Sequence, residues 1–293
     1  MMELQWPLMI FTLFICLGAG TFGVTGLLAG LGRAQEIQIP AVVISLVAIA
    51  IGGVASFLHL QHWDRIFNGF GHLTSGITQE LIGIVVFVVF AVIYLVLARR
   101  GKIPSWAGWV ACVISVALVI VMSLSYAMAA RPVWDSPLLS LYYLASAILS
   151  GALVVMVLSS LKKTENTLIS KIALAGGALT LVALIAYAIY IPSVASSFTS
   201  VGNYFDPTHP TKVMADPQGM LSGFLSGDQA LLFWGGALIL GAFIPAVGAF
   251  FAMKQKGTTA AGIASVAALC ALAGGLCFRV VLYALGFSVF VFY

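Results

Sequence analysis

The stretch TQELIGIVVFVVFAVIYLVLAR, residues 78–99, decides the fold class of this chain. Between Glu80 and Arg99 it contains no charged residue, and nearly every side chain in it is apolar. At about 1.5 Å of rise per residue, such a run is long enough to cross about 30 Å of hydrocarbon. Because a segment in lipid must satisfy its own backbone polar groups, the run predicts a membrane-spanning helix.

Runs of the same kind fill the rest of the chain. Of its 293 residues, 62% are hydrophobic and only 8% are charged, whereas soluble domains carry about 25% charged residues. We place eight spans at residues 7–31, 40–60, 78–99, 106–129, 137–161, 169–191, 229–252 and 260–286. The segments of about ten alternating residues that build a membrane barrel are absent, and no span shows a break at its middle. Residues 1–293 are therefore expected to form a single all-α domain, an integral membrane bundle of eight transmembrane helices.

Basic residues lie mostly on one side of these spans. Loops on that side carry Arg33, Arg99, Arg100, Lys102, Lys162, Lys163, Lys171, Lys254 and Lys256. Loops on the other side carry only Arg65, Arg131 and Lys212. The positive-inside rule then predicts that both termini lie on the outer, periplasmic side, which also places residues 58–80 at the outer face.

Composition and spacing argue against several classes of function. A net charge of +4 in short, scattered clusters does not favour nucleic-acid binding. The four cysteines lie in apolar runs without a CxxC pair, so neither a disulfide framework nor a metal site is expected. A haem held by two histidines is not expected either, because His59 and His62 lie one turn apart on the same segment and would not face each other across a haem.

Three further features carry structural expectations. The small residues from Gly18 to Gly30 predict close packing of the first span, although such a stripe can also leave room for a flat ring. Five tryptophans near span ends are typical of interfacial belt residues: Trp6, Trp63, Trp106, Trp109 and Trp134. Residues 192–228, rich in proline and glycine, are expected to form a loop that is either a lid, a partner contact or disordered.

Ionisable and polar groups concentrate at the outer ends of the spans. Such groups at membrane depth usually face a bundle interior or a polar cavity. The candidates are His59, Arg65, Asn68, Ser75, Glu80, Arg279 and Tyr283. A structural alternative is that Arg65 and Arg279 extend to lipid headgroups while His59 caps its helix.

A quinol fits the chemistry of this cluster, because its head is polar and it reaches proteins from within the bilayer. Its oxidation releases two protons, and His59 titrates in the range that suits a proton acceptor. Glu80 would orient the imidazole or relay the proton to the aqueous side. Since the sequence shows no redox centre, the electrons are expected to pass to a partner on the outer face.

The chain also resembles a known family. The opening QWPLMIFTLF (residues 5–14), the series from His59 through Arg65 and Asn68 to Glu80, and the terminal Arg279 and Tyr283 resemble the membrane-anchor subunits of bacterial dimethyl sulfoxide reductases. The resemblance implies a multi-pass protein of the bacterial cytoplasmic membrane that binds menaquinol and carries no haem. It also implies two partners on the outer face, an iron–sulfur electron-transfer subunit and a molybdopterin catalytic subunit.

In that family, the residues matching His59 and Glu80 belong to the quinol site. Arg65 and Arg279 would stabilise the semiquinone or form the docking face of the iron–sulfur subunit. One alternative is a small-anion transporter with Arg65 and Arg279 as ligands. Another is a plain tether, for which eight spans are excessive because one helix already anchors a protein.

Overall fold

The computed structural model describes residues 4–59, 71–164, 166–198 and 216–289. In these ranges every regular element is helical, and eight helices are long and apolar enough to cross a membrane. The long helices are α1 (Trp6–Gly30), α2 (Gln38–His59), α3 (Gly76–Arg99), α4 (Ser105–Tyr126), α5 (Pro137–Leu161), α6 (Thr167–Ser193), α8 (Leu232–Met253) and α9 (Gly257–Ala284), and a short α7 (Pro217–Ser222) precedes α8. The eight expected spans are confirmed, and no end differs from its expected position by more than three residues.

The eight spans pack as two groups of four with the same order of neighbours. In the first group α1 packs against α2 and α4, and α3 packs against α2 and α4. In the second group α5 packs against α6 and α9, and α8 packs against α6 and α9. The groups meet where α5 packs against α1 and α4 and where α1 touches α9. This interface between the two groups positions the candidate site.

Glycines allow α1 to approach α5 in the other group and α4 in its own group closely. A Cβ atom added to Gly20 would lie 1.9 Å from the carbonyl oxygen of Ala147 on α5. A Cβ added to Gly108 of α4 would lie 2.5 Å from the carbonyl oxygen of Gly26 on α1. The expected close packing of the first span is therefore confirmed, since larger side chains would separate these backbones.

The helices α1 and α3 differ strongly in how much of their surface the rest of the chain buries. In its most apolar window α1 is 72% buried, whereas the corresponding window of α3 is only 17% buried. The exposed side chains of α3 include Val85, Val89 and Ile93, and apolar side chains exposed along a whole span are suited to contact lipid. The other described helices thus leave most of the α3 surface uncovered.

The seventh span departs from regular α-helical geometry. Residues Leu232–Phe243 of α8 are wound as a π-helix, and the amide of Ile244 donates to the carbonyl of Ile239. The remainder, Ile244–Met253, is α-helical and has Pro245 in its first turn. Because proline has no N–H and its ring crowds the carbonyl four residues earlier, the regular α-helical pattern is not available at this point. No irregular span was expected from the sequence, so this stretch was not predicted.

The expectation of a purely irregular segment at residues 192–228 is wrong for its described parts. α6 continues to Ser193 and a 3₁₀ turn follows at Val194–Ser197. On the far side of residues 199–215, which lie outside the described ranges, α7 begins after Asp216. The Asp216 carboxylate accepts from the amide of Gly219 at 3.0 Å and caps that helix.

Candidate functional site

The candidate site lies at one end of the interface between the two groups of helices. We call it the glutamate end, because Glu80 is there, one turn into α3. At this end α3 and α5 begin and α4 and α9 finish. It is the end that the distribution of Lys and Arg predicts to face outward.

Glu80 is held against the end of α4. Its Oε1 accepts a hydrogen bond from the hydroxyl of Ser125, and the same hydroxyl lies 2.8 Å from the carbonyl oxygen of Met122. The single hydroxyl hydrogen of Ser125 therefore has two acceptors. The two helices meet closely here because residue 76 has no side chain. A Cβ atom added to Gly76 would lie only 2.8 Å from the Cβ of Ser125. The position of the Glu80 carboxyl thus depends on the hydrogen bond from Ser125 and on the glycine at position 76, which lets α3 approach α4.

Tyrosines from three helices surround the carboxyl of Glu80. It lies within electrostatic range of Tyr126 on α4, Tyr143 on α5 and Tyr283 on α9. Tyr283 is only 2% exposed, and its hydroxyl has no hydrogen-bond partner among the described residues. The Tyr126 hydroxyl is close to it, but the geometry between the two is not that of a hydrogen bond. A buried hydroxyl without a partner is costly, so the site contains one donor ready for a ligand.

Trp134 closes the cluster from the α4–α5 loop. Its indole N–H donates to the carbonyl of Leu282 at 2.8 Å, and its ring centroid lies 5.0 Å from that of Tyr283. Only 5% of its surface is exposed. The expectation that Trp134 is an interfacial belt residue is therefore wrong, because the indole packs inside the protein rather than among headgroups.

Arg279 is buried completely beneath these tyrosines. Its guanidinium donates to Thr12 Oγ1 at 2.8 Å, to the carbonyl of Gly275 at 2.9 Å and to Cys16 Sγ at 3.4 Å. It also lies 5.0 Å from the ring centroid of Tyr143. These partners carry no formal charge, so the cation is solvated by dipoles and by a ring face rather than by a carboxylate. The alternative in which Arg279 extends to the headgroups is wrong.

A second arginine fastens the loop that carries Trp134. Arg131 donates from Nη1 to the carbonyl of Gly286 at 3.0 Å, and its guanidinium lies 4.5 Å from the Trp134 ring centroid. Burial lowers the pKa of Arg131, whereas the nearby Tyr283 hydroxyl raises it. Because the guanidinium of arginine stays protonated in proteins, Arg131 remains a cation and joins the α4–α5 loop to the segment after α9.

The structure describes the side chains of some of the residues predicted from the sequence and not of others. Glu80 and Tyr283 are brought together, and Arg279 is linked to them through Tyr143 and Tyr283. Ser75 directly precedes α3, where its carbonyl accepts from Gln79 at 3.0 Å, and its side chain does not cap the helix. His59 is the last residue of α2, but its side chain lies outside the described part. Arg65 and Asn68 also lie outside it, so their places in the site stay predictions.

Four residues of the cluster were not among the predicted site residues: Ser125, Tyr126, Trp134 and Tyr143. A serine or a tryptophan at a span end gives no sequence signal by itself. The tyrosines do give one, because α4, α5, α6 and α9 each carry a tyrosine near the end that the charges predict to be outer. Tyrosine is suited to such positions, since a buried hydroxyl requires a partner.

Eight apolar helices enclosing a polar cluster at one rim define a multi-pass membrane protein. The family model described as "DMSO reductase anchor subunit (DmsC)" matches residues 2–285. The chain therefore belongs to the DMSO reductase anchor subunit family, whose members are the membrane anchors of complexes with catalytic and iron–sulfur subunits. A comparison with curated proteins gives no match.

Proposed function

We propose that this chain binds menaquinol at the glutamate end, oxidises it, and passes the electrons to the iron–sulfur subunit. Membership of the anchor family supports a role in an oxidoreductase complex. The observation that carries the quinol site is the buried Tyr283 hydroxyl, which has no partner among the described residues and lies close to Glu80. A quinol oxygen would accept from Tyr283, and a quinol hydroxyl would donate to Glu80.

The surroundings of Glu80 suit a substrate that arrives from the bilayer. The other described helices leave most of the α3 surface uncovered, and Glu80 on that helix is partly buried rather than enclosed. A quinol head entering beside α3 would reach the carboxyl while its tail stays among the acyl chains. His59, at the end of the neighbouring α2, would hydrogen-bond a quinol oxygen and take its proton. Glu80 would assist by accepting a proton or relaying it to the predicted outer aqueous side.

The buried cation contributes electrostatically. Arg279 interacts with Tyr143 and Tyr283, which in turn lie within range of Glu80. Its positive charge favours any negative charge that develops at the site as protons leave the quinol. Arg65 is proposed to act in the same way or to contribute to the docking face of the iron–sulfur subunit. Full burial of Arg279 gives the anion-transporter alternative no support, because a transport ligand requires an aqueous route.

The chemistry is divided between subunits in this proposal. Menaquinol is the substrate, and the chain itself contributes no haem and no metal. Molybdopterin and the iron–sulfur clusters belong to the partner subunits, on the outer side of a bacterial cytoplasmic membrane. What this chain provides is a site that positions the quinol and moves its protons.

The proposal is tested by Tyr283→Phe, with Tyr187→Phe as its matched control. Both hydroxyls are buried and have no partner among the described residues, so removing either should leave thermal stability unchanged or raise it slightly. Tyr187 packs against Phe278 and Tyr190 in the second group of helices. We expect Tyr283→Phe alone to raise the KM for quinol about 5- to 10-fold, the value of one hydrogen bond.

The measurement is quinol-dependent turnover of the whole complex in membranes, with a water-soluble electron donor as the reference. Unchanged quinol kinetics in Tyr283→Phe would remove Tyr283 from the site. Equal losses in both tyrosine variants would show that the effect comes from packing and not from the quinol.

A further inference from the structure

The opposite end of the bundle contains a cleft that the quinol site does not use. It has a volume of about 700 Å³ and opens between the α5–α6 loop and the α8–α9 loop. We call this the lysine end. Eight of the ten described lining residues have polar side chains, including Ser160, Lys163, Thr164, Asn166, Lys256 and Thr258.

The lining combines two cations with neutral hydrogen-bond donors. Lys163 and Lys256 come from different loops and are both exposed, so their ammonium groups are free to turn toward a common ligand. Asn166 is fixed on one wall, where its side-chain amide donates to Ser160 Oγ at 2.7 Å. Among the described lining residues there is no carboxylate. Glu165, which belongs to the same loop, lies outside the described residues.

Backbone groups add to the positive character of the cleft. α6 begins at Thr167 and α9 begins at Gly257, and neither helix has an acidic residue in its first turn or a side-chain cap. The free amides at such helix starts favour negative charge. Ammonium groups, hydroxyls and amides together form a donor set that suits a phosphate.

The surroundings of the cleft favour a lipid over a soluble anion as its ligand. At the ends of the helices that border it, the side chains of Leu161 on α5 and Phe251 on α8 are 56% and 53% exposed. Lys163 follows Leu161 by two residues, so charge and apolar surface adjoin at this end of the bundle. A ligand with a phosphate and acyl chains would satisfy both parts at once, whereas a soluble phosphate would satisfy only the first.

We propose that this cleft binds the phosphate headgroup of an anionic phospholipid, with Lys163 and Lys256 as its two cationic contacts. Basic pockets between helices on the cytoplasmic side of membranes commonly hold such headgroups, and the lysine end is the end predicted to be cytoplasmic. The site is independent of quinol chemistry, because it lies at the far end of the helices.

The test uses the full-length chain, purified in detergent and stripped of lipid. Native mass spectrometry measures the binding of added phosphatidylglycerol, phosphatidylcholine and glycerol 3-phosphate. The variant Lys163→Gln/Lys256→Gln is compared with Lys162→Gln/Lys254→Gln, which removes the same charge from the same two loops outside the cleft lining. Since each cation at such a surface contributes about fivefold, we expect the first variant to bind phosphatidylglycerol about 25-fold more weakly.

The control variant should bind phosphatidylglycerol nearly as the native chain does, and phosphatidylcholine should bind weakly to every form. Equal weakening in both double variants would overturn the proposal, because the attraction would then be a general property of the basic loops. Binding of glycerol 3-phosphate as tight as that of the lipid would show a site for a soluble anion instead. All four substitutions are at exposed positions, so misfolding is not expected to obscure the result.

Discussion

Ser125→Ala should reduce quinol oxidation sharply while leaving the protein folded. The serine hydroxyl is the described hydrogen-bond donor to Glu80, and the change removes that donor without adding volume. Glu80 would keep its place on α3 but lose the contact that fixes its carboxyl. The substitution therefore tests whether the orientation of Glu80, rather than its presence alone, is required.

The size of the effect follows from the type of hydrogen bond. A bond to a charged group contributes about 1.5–3 kcal/mol, and each 1.4 kcal/mol changes a rate about tenfold. If that contribution is made in the rate-limiting step, the kcat with quinol should fall about 10- to 100-fold. Turnover with a water-soluble donor that bypasses the anchor should not change.

Ser123→Ala is the matched control. Ser123 also lies on α4 and is fully buried, with its hydroxyl 2.6 Å from that of Ser140 and 2.8 Å from the carbonyl oxygen of Ile120. Its loss should cost about 0.5–1.5 kcal/mol of stability and leave quinol turnover within about twofold of native. Native quinol turnover in Ser125→Ala, or equal losses in both variants, would refute the reasoning.

Three further predictions follow from packing and charge. Gly76→Ala should destabilise the chain by about 1–3 kcal/mol and impair quinol oxidation, because its Cβ would lie 2.8 Å from a side chain of α4. Gly53→Ala should be tolerated, since a Cβ there would have nothing within 4 Å, and thermal unfolding in detergent compares the two variants. Thr12→Val should lower thermal stability by about 1–3 kcal/mol, since it removes the acceptor 2.8 Å from Arg279 Nε. Thr25→Val, whose hydroxyl only bonds a main-chain carbonyl of α1, should cost less, and a larger loss there would contradict the argument. In the proposed arrangement the quinol protons leave on the side where the electrons are used, so turnover in reconstituted vesicles should move no net charge across the membrane. A signal from a potential-sensitive dye would contradict this.

Much of the fold could be predicted from the sequence because an apolar run of about 20 residues satisfies its own backbone polar groups in lipid as a helix. The run at residues 78–99 and its seven counterparts were all confirmed as helices. Their arrangement was not predictable in the same way. A lipid-facing side chain such as Val89 and a buried one such as Phe87 are both apolar, so the pattern does not reveal which face meets a neighbour. The π-helical stretch of α8 also depends on packing that one sequence does not show.

Part of the candidate site was predictable because unusual residues marked it. Glu80 and Arg279 were evident because charged groups are rare at membrane depth. Ser125 and Trp134 are common at span ends, and they matter here because α3 and α9 happen to lie next to them. Their assignment required knowledge of helix neighbours, which residue types and spacings alone do not supply.

The central claim, that this anchor contains a quinol site, is tested most directly by His59→Ala in the assembled complex. Quinol-dependent turnover of the variant is compared with turnover from a water-soluble donor in the same membranes. We predict that the variant loses the quinol-driven activity and keeps the donor-driven activity, since the catalytic and iron–sulfur subunits remain intact. If both activities survive unchanged, His59 has no part in quinol oxidation and the proposed site is wrong.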